Sequence, residues 1–405
     1  MSFSSLGLST SILTIIDEMA YKLPTPIQTK AIPAILQGMD VLAAAQTGTG
    51  KTAAFSLPMV ENLSKGSRVK PNQVRSLVLV PTRELAVQIE QSIKVICTTF
   101  NLHSYAVFGG VKINPQMMAL RRGADVLIAT PGRLLDLHKQ NAIKFTHLEI
   151  FVLDEADRML DMGFSDELQK IITLLPQQRQ NLMFSATFSE EIRTLAKRIV
   201  SDPVEISVNP QNTTVTSIEQ WLYPVDEKRK SALLSHLIKS NKWHQVLVFC
   251  KTKQAANNIV QYLEKKNIKA AAIHGDKSQG ARTRALSEFK SGTSTVLVAT
   301  DLAARGLDIN QLPQVVNYDL PHITEDYIHR IGRTGRAGLS GEAISLVCAD
   351  EFPKLSEIER LIKKLIMRKY LKAFMPDKTL PESKLDTRPI KPKKPKKPKK
   401  PKQPK

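Results

Sequence analysis

Short apolar runs punctuate the chain at regular intervals. The first half holds DVLAAA (40–45), SLVLVPT (76–82), YAVFGG (105–110), ADVLIAT (124–130), IFVLDEA (150–156) and NLMFSAT (181–187). The second holds QVLVFC (245–250), KAAAIHG (269–275), STVLVAT (294–300), QVVNYDL (314–320) and GEAISLV (341–347). Most show no polar alternation, the pattern of parallel strands buried on both faces. Helical spacing fills the intervals, so each half is predicted to be a parallel α/β sheet built from βαβ units. The polar stretch SVNPQNTTVTS (207–217) reads as a linker between a first domain over 1–206 and a second over 218–375. A charged amphipathic pattern over 352–372 predicts a C-terminal helical extension. Beyond about 376 apolar residues give way to KPKKPKKPKKPKQPK, with proline at every third position from Pro389 to Pro404. Proline disfavours helix at the residue before it and lysines repel one another, so 376–405 is predicted to be a disordered, extended tail.

Charge adds a partner class to this picture. The chain has 58 Lys and Arg against 38 Asp and Glu, a net +20. Residues 388–405 carry Arg388 and nine lysines with no acid, which leaves 48 basic against 38 acidic groups in the rest. A body at +10 suggests a polyanionic partner, with nucleic acid first. No apolar run approaches a membrane span, and the N-terminus lacks the basic region of a secretory signal. Cys97, Cys250 and Cys348 are far apart and odd in number, which argues against a disulfide framework or a structural zinc and fits a reducing cytoplasm.

Candidate chemistry sits at the ends of the apolar runs. Gln46-Thr47-Gly48-Thr49-Gly50-Lys51-Thr52 follows the first run and precedes a helical pattern. It matches G-x-x-x-x-G-K-[ST] except that Ala45 replaces the first glycine. Backbone N–H groups of such a turn surround phosphate oxygens, with Lys51 reaching the β- and γ-phosphates and Thr52 ligating Mg²⁺. Asp154-Glu155-Ala156-Asp157 closes the run IFVL, at the strand edge where α/β sheets bind ligands. Asp154 is placed to hold Mg²⁺ and Glu155 to orient and deprotonate a water. The second half has neither feature. It offers His329-Arg330-Ile331-Gly332-Arg333-Thr334-Gly335-Arg336, whose arginines, three residues apart, suit a face aimed at phosphate.

With these motifs in order over about residues 1–350, the chain resembles the DEAD-box RNA helicases of superfamily 2. The opening MSFSSLGLS, the run HGDKSQGARTRALSEFKSG and the basic tail resemble the bacterial RhlE type. The resemblance implies two tandem RecA-like domains and an RNA-stimulated ATPase that locally unwinds short duplexes. It implies that Gln28, within AYKLPTPIQ, reads adenine, with Tyr21 stacked on the base and Phe3 as an upstream aromatic. The family usually has glycine at the position of Ala20. Ser185-Ala186-Thr187 would tie the phosphate site to RNA binding, through hydroxyls reaching the acids at 154–157. Arg333 and Arg336 would be arginine fingers, Asp308 would serve the nucleotide, and His329 and Arg330 would link to the first domain's acids.

The resemblance also places RNA contacts in both halves. They are Pro81, Thr82, Arg83, Gly109, Gly110, Thr130 and Arg133 in the first, and Lys251, Thr252, Gln279, Arg282 and Thr300 in the second. Small residues, hydroxyls and single arginines suit a sugar–phosphate backbone rather than base edges, so binding is expected to be sequence-independent. The expected ligands are ATP, Mg²⁺ and RNA, with ribosome-assembly or RNA-decay proteins as further partners and a cytoplasmic monomer as the working form. An RNA clamp that unwinds little and a DNA translocase remain alternatives at this level. The tail is expected to tether RNA non-specifically.

Overall fold

The computed structural model describes residues 2–45, 49–208, 218–304, 307, 309, 312–335 and 341–385. Two seven-stranded sheets, parallel throughout, organise it. The first contains β1 Val41–Ala44, β2 Val74–Leu79, β3 Ser104–Val107, β4 Ala124–Ala129, β5 Ile150–Leu153, β6 Gln180–Ser185 and β7 Val204–Ser207. The second contains β8 Ile218–Pro224, β9 Val246–Cys250, β10 Ala270–Ile273, β11 Val296–Thr300, β12 Gln314–Asn317, β13 Gly341–Val347 and β14 Met367–Arg368. Their orders are β3-β4-β2-β5-β6-β1-β7 and β10-β11-β9-β12-β13-β8-β14. Counted from the start of each sheet, the two orders are the same, so one topology is used twice.

The unalternated runs are explained by burial on both faces. In β2, Val78 enters one core while Leu77 and Leu79 enter the other. In β9, Val246 and Val248 face one core and Leu247 and Phe249 the opposite one. All eleven runs become strands. Three further strands escaped the pattern. The edge strand β7 alternates Glu205 and Ser207 with partly and fully buried Val204 and Ile206, β8 carries Glu219 and Gln220, and β14 has only two residues.

The chain's C-terminal part departs from the sequence expectation. The helix begun at Phe352 ends at Ile362, where Lys363 takes a left-handed conformation at φ 54°. The chain then pairs as β14 beside β8, and the Lys369 Nζ lies 3.5 Å from the centre of the Trp221 ring. The 352–372 helix is therefore corrected to a helix, a short strand and the turn Lys372–Phe374. Residues 376–385 are also corrected from tail to folded chain. Leu380 is buried in the core cluster of Ile218 and Tyr327, and the Arg368 guanidinium donates to the carbonyls of Leu380 and Pro381. Burial of Leu380 in a segment otherwise largely polar or exposed supplies what the composition concealed. Ser207 and Val208 belong to the first sheet's edge, where the Val208 N–H donates to the Ala44 carbonyl at 2.9 Å. The rest of the expected linker, 209–217, and residues 386–405 lie outside the described residues.

Candidate nucleotide and RNA site

The first sheet ends in a cavity of about 810 Å³ that both lobes line. From the first lobe come Tyr21, Gln28, Gly50, Lys51, Thr52, Asp154 and Glu155; from the second come Leu307 and Arg333. Gly50 precedes the helix Lys51–Ser64 with φ 89°, and a Cβ there would lie 2.5 Å from the Gln28 amide nitrogen. Only glycine meets both conditions. Gln28 is buried, its Nε2 donating to the Gly50 carbonyl at 3.1 Å and its Oε1 accepting from the Thr25 N–H at 2.8 Å. It thus caps its own helix and braces the end of the phosphate turn. An amide has a further hydrogen and lone pair for a base.

Lys51 is the most informative side chain here. Its ammonium is buried, has no hydrogen-bond partner, and lies 3.9 Å from Asp154 Oδ1. A buried ammonium without hydrogen bonds is costly, and a phosphate in the adjoining cavity would satisfy it. Asp154 and Glu155 follow β5 and are both buried. Burial pushes both carboxyls above their usual range, with Lys51 pulling each back and Arg333 also pulling back Glu155. Glu155 occupies the left-handed region at φ 51°, ψ 49°, with its N–H donating to Asp154 Oδ1 at 2.8 Å. A non-glycine residue held there carries strain, and such strain collects at functional sites. Thr52 borders the same cavity. Gln46, Thr47, Gly48, Asp308 and Arg336 lie outside the described residues.

Phe3 and Arg330 lie elsewhere than expected. Phe3 is not part of the cavity wall. It is buried in the first lobe's core with Leu6 and Leu8, as an apolar ring with no polar atom to expose. Arg330 does not reach the first lobe's acids. It is a strut inside the second lobe, pairing with Asp301 at 2.5 and 2.7 Å and donating to Asn317 Oδ1 at 3.0 Å and the Asp319 carbonyl at 2.6 Å. Its guanidinium also covers the Phe249 ring. Four of the five donors of its planar fork are taken by partners that the second lobe itself provides. His329 sits half-buried on the same short helix, Asp326–Ile331.

One link between the lobes comes from residues that the sequence pattern does not single out. Asp326, one turn before Arg330, accepts from Arg158 of the first lobe at 2.8 Å, and both side chains are buried. Asp157 reaches Ser185-Ala186-Thr187 through the backbone. The Ala186 N–H donates to Asp157 Oδ2 at 3.1 Å, and Ser185 Oγ accepts from the Thr187 N–H at 3.4 Å. The bond to the acids is made by an amide rather than by the expected hydroxyls. Breaking the Arg158–Asp326 pair leaves the buried Arg158 with Asp161 of its own helix, at 3.2 Å, so the cost falls at the lower end of roughly 3–5 kcal/mol. Asp326→Arg is therefore expected to raise the RNA concentration needed for half-maximal ATPase stimulation by about 10²-fold. Exchanging both charges, Arg158→Asp with Asp326→Arg, should recover most of that loss. Equal defects in the single and double variants would remove the pair from closure.

A second cavity, of about 330 Å³, also spans the lobes. Pro81, Thr82, Arg83, Gly109, Thr130 and Arg133 line one side, and Arg282, Leu302 and Ala303 the other. Gly110 lies next to it at φ 78°, where a Cβ would strike the Arg83 guanidinium. Thr82 and Thr252 cap helices, their hydroxyls accepting from the N–H groups of Leu85 and Ala255. Thr300 is buried at the end of β11. Arg133 donates one nitrogen to the Val111 carbonyl at 2.9 Å, while its Nε and Nη1 are buried without hydrogen-bond partners. Arg282 and Gln279 reach across to Glu84 at 2.9 and 3.3 Å. Lys251 instead pairs with Glu351 inside its own lobe at 3.1 Å.

A lobe bearing a phosphate turn and an acidic pair, closed against a lobe that contributes an arginine, defines a two-lobed nucleotide hydrolase of the helicase class. Family models for the DEAD/DEAH box helicase and the helicase conserved C-terminal domain match residues 25–195 and 229–338. The DEAD-box ATP-dependent RNA helicase RhpA of Helicobacter pylori is 44% identical over 361 residues, covering 89% of this chain and 72% of that one. The DEAD-box ATP-dependent RNA helicase CshA of Geobacillus kaustophilus is 41% identical over 367 residues, covering 91% and 78%. The structure of Dbp5 of S. cerevisiae bound to RNA and ADP BeF3 is similar with a TM-score of 0.80 at 33% identity, covering 91% of this chain and 95% of that one. The chain belongs to the DEAD-box ATP-dependent RNA helicases, and its two sheets form tandem RecA-like domains.

Proposed function

We propose that ATP hydrolysis in this protein is completed only when RNA holds its two lobes together, and that closure and reopening drive local strand separation. As a DEAD-box helicase the protein is an RNA-dependent ATPase that unwinds short RNA duplexes and remodels RNA. The observation that carries the coupling is the position of Arg333. This second-lobe arginine borders the same cavity as Lys51, Asp154 and Glu155 of the first lobe.

In this reading the buried Lys51 ammonium takes the β- and γ-phosphates, and Gln28 and Tyr21 take the adenine. Glu155 orients the attacking water and accepts its proton. Arg333, with Arg336, neutralises charge on the transferring phosphoryl group. Mg²⁺ fits the hard oxygens of the Thr52 hydroxyl and the Asp154 carboxylate, which border one cavity, and when bound it neutralises phosphate charge. RNA lies along the second cavity, where Arg133 has two buried nitrogens without hydrogen bonds, Nε lying 4.0 Å from Asp136, that phosphate oxygens would satisfy. Because ATP and RNA both favour the closed form, each raises the other's affinity by the same factor.

The domain limits follow as a first lobe to about residue 208 and a second from about 218 to 385, joined by the intervening segment. The opening MSFSSLGLS and the run HGDKSQGARTRALSEFKSG support assignment to the RhlE type. Free cysteines, all buried, agree with a cytoplasmic site of action. Action as a monomer fits an active centre assembled from one chain. Ribosome assembly and RNA decay are the processes in which such an activity would meet protein partners. The test is ATP turnover of the intact chain with and without RNA, beside that of the first lobe alone (residues 1–208). Strong RNA stimulation in the first and near-silence in the second are expected. Equal rates from the lone lobe would end the split-site reading.

A further inference from the structure

At the ends of β9 and β11, where Cys250 pairs beside Thr300 and the chain runs on to Leu302 and Ala303 of the second cavity, lies a closed set of charges. Lys230 is fully buried, and its ammonium meets Glu351 at 2.6 Å, Asp319 at 3.5 Å and the Tyr318 carbonyl at 2.8 Å. The other oxygen of Glu351 takes the Lys251 ammonium at 3.1 Å and the Leu320 N–H at 3.1 Å. Asp319 in turn accepts the Lys251 backbone N–H at 2.8 Å. Two ammonium groups thus face two carboxylates, and nothing is left over. Glu351 stands just before the C-terminal helix Phe352–Ile362, about a hundred residues from the strand end that carries Lys251. The Lys251 side chain is only 26% exposed. Its pairing is therefore not the solvent-screened kind that contributes little. Burial alone would raise the Glu351 carboxyl, but Lys230 and Lys251 hold it down at about 2. The stability this pairing contributes is full above the usual carboxylate range and is lost progressively as pH falls from there through about 2.

We propose that Glu351 masks Lys251, so that the second lobe meets RNA with one cation fewer than its sequence displays. This inference rests on the RNA-facing reading of those strand ends given above. A phosphate that recruited Lys251 would only replace one anionic partner with another. The exchange adds little net attraction, and it leaves Glu351 balanced by Lys230 alone. Lys251 is then a charge in reserve, and Glu351 is the positioning residue that holds it.

The salt dependence of RNA binding reads this directly, since each lysine engaged on single-stranded phosphate adds roughly 0.7 to the slope of log affinity against log salt. The full chain is titrated with a fluorescent uridine homopolymer in the presence of a non-hydrolysable ATP analogue. Lys251→Gln should leave affinity and slope at wild-type values. Glu351→Gln, its fold checked by circular dichroism, should bind more tightly at low salt and steepen the slope by roughly 0.7. The double variant should return to the wild-type slope. A flatter slope in Lys251→Gln alone would show the lysine already on phosphate and overturn the proposal, and this variant decides the matter if Glu351→Gln does not fold. An unchanged slope in a folded Glu351→Gln would also overturn it. Arg133→Ala separates the two levels. If it too leaves RNA affinity intact, the RNA-facing reading itself has failed. If it weakens binding while Glu351→Gln changes nothing, only the masking idea falls.

Discussion

Glu155→Gln is expected to bind ATP as the wild type does and to hydrolyse it roughly 10²–10⁴-fold more slowly at saturating RNA, the range for removal of a general base. The substitution keeps size and shape but replaces the charged, proton-accepting carboxylate with a neutral amide. That is a clean change because Glu155 is held so firmly. It is buried, its backbone lies in the left-handed region, and its N–H is fixed on Asp154. The neighbouring cations act with it. Burial raises the Glu155 carboxyl, and Lys51 and Arg333 are the charges that favour its ionised form. A base must be ionised to act, so under the proposed mechanism Arg333 of the second lobe would also favour the ionised form of the first lobe's carboxylate. The measurement is single-turnover hydrolysis with excess enzyme, alongside an ATP dissociation constant. Turnover within tenfold of wild type would assign the base elsewhere. A matched loss of ATP affinity would make Glu155 a binding group instead.

The fold was written locally, and so it was readable. Buried parallel strands declare themselves in consecutive residues, and DVLAAA or STVLVAT needs no partner to be recognised. The phosphate turn is equally local, because Gly50 and Lys51 must be adjacent for one to make the turn and the other to enter the cavity. What stayed hidden is the part of the structure made by pairs. Arg158 and Asp326 are 168 residues apart, and no run of letters joins them. Lys251 and Glu351 are separated by 100. Arg330 shows the same limit in reverse. An arginine beside Arg333 has the chemistry of a phosphate ligand, but three groups of its own lobe, Asp301, Asn317 and the Asp319 carbonyl, claim it first. Residue type gives the range of partners, and only the folded geometry selects among them. The missed strand β8 follows the same rule, since its Glu219 and Gln220 break the apolar pattern although β13 and β14 flank it.

The second large effect separates the two lobes' contributions. Arg333→Ala is expected to lower RNA-stimulated turnover by at least roughly 10³-fold, the lower end for loss of an arginine finger. Arg336→Ala is expected to behave similarly. ATP affinity measured without RNA should barely move, because the phosphate turn, Lys51 and Gln28 all belong to the first lobe. Arg333 is positioned for this role. It is buried, one nitrogen donates to the Leu307 carbonyl at 2.9 Å, and the side chain borders the cavity of Lys51 and Glu155. Arg333→Lys should recover little, since an ammonium cannot keep the Leu307 bond and face two phosphate oxygens in one planar fork. RNA binding itself should persist, because Arg133, Arg83 and Thr130 are untouched. A variant that grips RNA with ATP bound yet fails to turn over would show that closure and catalysis are separable steps. If Arg333→Ala instead retained RNA-stimulated turnover near the wild-type rate, the second lobe would serve only as a lid, and the phosphoryl charge would have to be neutralised by the first lobe alone.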